Sequence, residues 1–175
     1  MWEGGQCTSG FSVYRMSDGM NGITTAGHCT NISAFDAESP EADFALYHKG
    51  EHCGRHGDVE WKSTSHVELA EFWASPTDRR DVRSVESVYS VNNWYCLYSR
   101  ITGARTCDKV FSSSTSQSGC QGRTSHRLVA MESKSGVGGD SGGPWSVGTK
   151  AAGVVKGHKT VWFEKRSTFT KASRF

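Results

Sequence analysis

The 175 residues predict an all-β fold, an antiparallel barrel or sandwich, on three observations. Short segments rich in Val, Tyr, Trp and Phe recur between clusters of Gly, Ser, Asn and Asp. No long stretch carries apolar residues at helical spacing between proper start and stop signals. No run approaches the roughly 20 apolar residues of a membrane-crossing helix.

In chain order the strand candidates are FSVYRM (11–16), DVEWKS (58–63), VESVYSV (85–91), WYCLYS (94–99), HRLVAM (126–131) and AAGVVKG (151–157). Their β-branched and aromatic side chains suit a pleated, half-buried surface. Between them, FWASPTDRRD (72–81), with its proline and charge cluster, and the polar, Gly/Ser-rich FSSSTSQSGCQG (111–122) read as surface loops. No internal repeat is visible.

At 35% hydrophobic and 22% charged residues the chain can bury one sizeable core, so a single domain is expected. Its 20 Lys and Arg are interleaved with 18 Asp and Glu, for a net charge of +2, so no nucleic-acid partner is implied and none is expected at a membrane. The opening MWEGGQCTSGF lacks a basic leader and an apolar core segment, so the expectation is either a cytosolic protein or a mature form with Met1 added for expression. The cysteines favour the second. Six of them, widely spread with no CxxC pair, suit three disulfides in a secreted, extracellular protein better than a zinc site.

The densest chemical signal is GVGGDSGGPW (136–145), where five glycines surround one Asp-Ser pair. Glycine is kept where backbone turns sharply or another group approaches closely, which makes Ser141 a candidate nucleophile. GDSGG fits the elbow pattern of α/β-hydrolases, but that fold needs an acid and then a histidine after the serine. Downstream of Ser141 there is no Asp, and Glu164 follows the sole downstream histidine, His158, so chain order excludes the elbow. The base must therefore lie upstream, and TTAGHCT (24–30) presents His28 in a small-residue turn beside a cysteine. A serine hydroxyl needs such an imidazole, held by a carboxylate. Asp43 in EADFAL and Asp58 in HGDVEW are the candidate acids.

Together, TTAGHCT and GGDSGGP resemble the chymotrypsin-like serine proteases, and CTSGFSV, TAGHCTNISA and YCLYSRITGARTC are most similar to the bacterial streptogrisin and alpha-lytic branch, over about Cys7 to Thr170. The resemblance implies two six-stranded antiparallel barrels with the active site between them: about residues 1–75 carrying His28 and the acid, and about 85–175 carrying Ser141. It implies an endopeptidase working through an acyl-enzyme, with polypeptide substrates and no cofactor or metal. Ser141 attacks, His28 relays the proton, the acid orients His28, and the amides of Gly139 and Ser141 form the oxyanion hole. Asp58, 30 residues after His28 and at the head of a strand, is favoured over Asp43, whose 15-residue spacing is short for the excursion such a fold requires. Asp78 and Asp81, beside two arginines, read as surface pairs. Asp140 is expected to hold the oxyanion loop through a cationic partner, with Arg100 and Arg105 as candidates.

Cys7–Cys29 and Cys96–Cys107 bridges are likewise implied by the resemblance; Cys53 and Cys120 remain either a variant bridge between the barrels or two free thiols. His48, His52, Cys53 and His56 crowd one segment, and on a strand the three histidines would share a face; a surface hairpin is preferred to a transition-metal site there. His66, His126 and His158 carry no motif, and Asn31 opens an NIS sequon of little weight. The specificity pocket is expected from Ser135, Gly136, Val137 and Gly138, from Val155, Lys156 and Gly157, and from Thr168 and Thr170. Ser135 stands where trypsin-like relatives carry an aspartate, so cleavage after Lys or Arg is not expected; an apolar residue is preferred to an acidic one. GVVKG (153–157) departs from the family by lacking the serine that commonly supports the triad aspartate. A monomer is expected, with a removed N-terminal pro-segment as an aid to folding. A catalytically silent homologue acting as a binding module and a serine esterase stay open as alternatives.

Overall fold

The computed structural model describes residues 7–29, 32–35, 44–65 and 69–174; among them every regular element is a strand except one terminal 3-10 turn, Ala172–Arg174. The first half contains β1 (Ser12–Arg15), β2 (Met20–Thr25), β3 (Ala34–Phe35), β4 (Phe44–Ala45), β5 (Tyr47–Gly54), β6 (Gly57–Ser63), β7 (Glu71–Ser75) and β8 (Asp78–Asp81). Four of these form an antiparallel sheet in the order β1-β2-β6-β5, while β3–β4 and β7–β8 are separate two-stranded ladders. The six-stranded barrel anticipated here is thus a four-stranded sheet with two attached ladders among the described residues.

The second half contains β9 (Ser84–Val85), β10 (Trp94–Ser99), β11 (Ala104–Cys120), β12 (Arg123–Met131), β13 (Pro144–Val147), β14 (Lys150–Val161) and β15 (Glu164–Lys171). Its order is β13-β10-β11-β12-β15-β14, and an additional β13–β14 pairing closes these six strands into a ring, with β9 added in parallel on β14. Closure removes the exposed edges an open sheet would present.

Three segments differ from the sequence expectation. Residues 111–122 largely belong to β11, which runs on past its ladder with β10 (Ala104–Lys109) and there pairs with β12, Gln117 lying opposite Ser125; the β11–β12 ladder carries four register shifts. Residues 72–81 form the β7–β8 hairpin, which buries Phe72 and Ala74 while its charges face outward. Of residues 85–91 only Val85 is strand, since the Glu86 carboxylate accepts the N–H groups of Ser87 and Val88 and turns the chain away.

Two apolar clusters hold these pieces. One fills the closed ring, with Tyr95, Leu97, Val110, Met131, Trp145 and Phe169 fully buried. The other joins Phe11, Val59, Phe72 and Ala74 of the first half to Ala151, Val154 and Ala172 of the second. Its mixed origin fixes the seam between the halves, along which the candidate site residues lie.

Candidate active site

His28 follows the end of β2 in a turn closed by the Cys29 N–H on the Ala26 carbonyl. Gly27 lets that turn press against β5 and β6: a Cβ there would lie 3.0 Å from Cys53 Sγ and 3.1 Å from Asp58 Oδ1. Asp58, the second residue of β6, is fully buried and holds His28 twice, accepting its main-chain N–H at Oδ1 and contacting Nδ1 with Oδ2, both at 2.9 Å. Across the seam, Thr170 of β15 secures Asp58 by accepting its N–H (2.8 Å) and donating to its carbonyl (3.0 Å). Burial alone would push the Asp58 carboxyl up; the hydrogen bond and charge of His28, with the Lys156 ammonium, outweigh it and hold the group below the usual aspartate range. A buried carboxylate on Nδ1 leaves Nε2 of the ring free to accept a proton.

Ser141 sits on a turn between Gly139 (φ +98°) and Gly142 (φ +90°), in backbone that L side chains rarely adopt. Gly142 also allows close approach, since a Cβ there would fall 2.2 Å from Thr25 Oγ1 and 2.9 Å from Ala26 N. The Ser141 carbonyl accepts the N–H of Thr8 (2.7 Å), and neighbouring Cys7 is disulfide-bonded to Cys29, next to His28. These ties bring the serine loop and the histidine turn together. Asp140, Gly142 and Gly143 donate their N–H groups to Val137, Val155 and Asp140, whereas those of Gly139 and Ser141 have no protein acceptor among the described residues. Buried Asp140 accepts from Ser99 Oγ and Val137 N–H, each at 2.8 Å. Ser99 adjoins the candidate Arg100 and was missed because a lone serine carries no motif.

Of the expected pocket residues, Ser135, Gly136 and Val137 precede the serine on one chain segment, with Gly138 in open space. Ser135 N–H donates to Ser167 Oγ (2.8 Å) and its hydroxyl to Asp108 Oδ2 (3.2 Å). Thr168, fully buried, donates to Gln117 Oε1, and Gln117 Nε2 donates to the His158 carbonyl (3.0 Å), so Gln117 joins the group although its serine-rich surroundings concealed it. Val155 packs in the ring core and Gly157 adjoins a bulge in the β14–β15 ladder. Lys156 and Thr170 are turned onto Asp58 instead, with Lys156 Nζ 2.6 Å from Oδ2. His158 is driven below the usual histidine range by burial and by the Lys134 charge, against the opposing Gly136 carbonyl and Asp140.

Cys7–Cys29, Cys53–Cys120 and Cys96–Cys107 are all bonded, and the second links β5 to β11 beside Asp58. Of the crowded histidines, His48 meets Glu60, and His52 Nε2 accepts the His56 N–H. Among the described residues, the two groups of three close potential metal-ligand atoms each contain both sulfurs of a disulfide. His126 contacts Ser116. Asp43, Asn31 and His66 lie outside the described residues. A separate apolar hollow, lined in part by Val13, Thr24, Val59 and Trp61, takes no residue from the Ser141 loop.

This architecture is the chymotrypsin fold, shared with bacterial serine proteases. The chain is similar to a glutamic-acid-specific serine protease described as using a histidine triad in substrate binding (20% identity, TM-score 0.76, covering 95% of this chain and 87% of that one). It is also similar to an alpha-lytic protease homologue, N4 (17%, 0.73, 96% and 91%), and to a Nocardiopsis protease (21%, 0.71, 97% and 88%). No family model and no curated protein matches the sequence.

Proposed function

We propose that this protein is a secreted serine endopeptidase that hydrolyses polypeptides through an acyl-enzyme, with Ser141 as nucleophile, His28 as general base and acid, and Asp58 as the group that orients His28. The observation that carries the reading is the buried Asp58 carboxylate on His28 Nδ1, in a histidine turn that the Thr8–Ser141 hydrogen bond and the Cys7–Cys29 bridge tie to the glycine-flanked serine turn. The Gly139 and Ser141 N–H groups, without an acceptor among the described residues, are suited to an oxyanion. Residues 1–175 act as one peptidase domain, with about 1–75 and about 85–175 as its two lobes, working as a monomer without cofactor after loss of a folding pro-segment. Three disulfides support an extracellular setting.

The pocket favours a side chain other than Lys or Arg. Ser135 presents a neutral hydroxyl, and the Asp108 carboxylate beneath it is occupied by the Lys109 and Ser133 N–H groups and by the Ser133 and Ser135 hydroxyls. The test is a fluorophosphonate adduct mapped by peptide mass, beside a Ser141→Ala control. One adduct on Ser141 that is absent from the control is expected, followed by cleavage of a peptide-amide library; no adduct on folded protein overturns the reading, and turnover of esters but not amides redirects it to an esterase.

A further inference from the structure

Lys156 is the least ordinary residue at this site. It lies on β14 with its side chain 4% exposed, and its Nζ is 2.6 Å from Asp58 Oδ2, 3.2 Å from the Gly119 carbonyl and 3.5 Å from His28 Nδ1. Asp58 Oδ2 is thus shared between an imidazole and an ammonium. A buried charge is tolerated when paired, and Asp58 and Lys156 make a neutral pair between the two halves. The cost falls on the imidazole. A carboxylate acting alone favours a positive ring beside it, whereas this one is already compensated and the ring also faces a like charge at 3.5 Å.

We propose that Lys156 is a positioning residue that sets the acid limit of the reaction: its ammonium clamps the Asp58 carboxylate and opposes a second positive charge on His28, so that turnover persists to lower pH than the His28–Asp58 pair alone would permit. The other described contacts of this group do not titrate in the relevant range: the Thr170 hydroxyl on β15, the Gly119 carbonyl on β11, and the disulfides Cys7–Cys29 and Cys53–Cys120. Asp58 on β6 and Lys156 on β14 are the charges those contacts place on His28.

The inference rests on the hydrolytic reading above, and its test separates the two. The rate of Ser141 labelling by a fluorophosphonate is measured against pH for wild type, Lys156→Met, Lys156→Ser and Lys156→Arg, with melting temperature and disulfide content checked for each. Both neutral variants should move the half-maximal rate up by about one pH unit, a tenfold loss on the acid limb. Lys156→Arg, which keeps the charge, should stay near wild type. A limb that does not move in the folded neutral variants, or a rate that falls equally at every pH, overturns the proposal. Should both of these variants fail to fold, Lys156→Gln, which keeps a donor for Asp58 without the charge, decides by the same comparison with wild type: a limb moved up supports the proposal and an unmoved one overturns it. Wild type unlabelled at every pH overturns both readings.

Discussion

The two sides of the seam hold their candidate reactive groups by different physics. On the histidine side, β6 buries Asp58, Glu60 and Lys62 at alternate positions, and each is paired: Asp58 with His28 and Lys156, Glu60 with Lys62 at 2.7 Å and with His48 at 2.6 Å. On the serine side, Ser141 rides on glycine-dependent backbone over a ring packed with Trp145, Leu97 and Phe169, and Asp140 is held by the neutral donors Ser99 and Val137. The first side should therefore be sensitive to lost charge and to pH, and the second to added or removed atoms.

The sharpest test of the charged side is Asp58→Asn, expected to cut turnover by about four orders of magnitude near neutral pH by favouring the wrong imidazole tautomer. Asp43→Asn should do little, and the reverse ranking would transfer the acid role to Asp43. The same residue links stability to pH. The lowered folded pKa of Asp58 means that its contribution is complete above the unfolded value of about 3.9 and is lost as pH falls below it through the folded value. Asp58→Asn should remove that part of the acid-unfolding slope. Next in size is Lys62→Met, which strips Glu60 of its buried partner and should destabilise by about 3–5 kcal/mol in denaturant unfolding. The double change Glu60→Leu with Lys62→Met should recover most of that loss, and a double variant no better than the single one would show that packing, not charge, holds this strand.

On the serine side, Gly142→Ala places a methyl group 2.3 Å from the Thr8 carbonyl, in left-handed backbone. A loss of about 2 kcal/mol or more, with reduced fluorophosphonate labelling, is expected; a fully stable, fully labelled variant would mean that the loop is not set by close approach.

The contrast also explains which features could be read from the amino acids. The serine side announces itself, because close approach at Gly142 and positive φ at Gly139 and Gly142 require glycine by name, and WYCLYS (94–99) matches β10 residue for residue. The charged side is muted. Nothing in VEWK shows that the face carrying Glu60 and Lys62 is the buried one, and nothing in GVVKG shows that Lys156 reaches across to Asp58, because both depend on what packs against these strands in the folded chain. The strand nature of 111–122 was hidden for a different reason, since its Ser and Gly content is that of a loop and the ladder to β12, the next strand along, is what makes it extended.

The smallest predicted effect probes the neutral donors directly. Ser99 Oγ accepts the Thr102 N–H at 3.2 Å and donates to the buried Asp140 carboxylate at 2.8 Å, so Ser99→Ala leaves a donor and an acceptor unmatched. A loss of about 1–3 kcal/mol in unfolding free energy is expected. Asp140 keeps its bond to Val137 N–H, and Gly142 and Gly143 keep theirs to Val155 and Asp140, so the turn beneath Ser141 retains its shape. Labelling should accordingly fall by less than about tenfold, far less than for Asp58→Asn. A much larger fall in a stably folded Ser99→Ala protein would mean that the serine side, too, depends on the electrostatics of one buried carboxylate, and the contrast between the two sides would collapse.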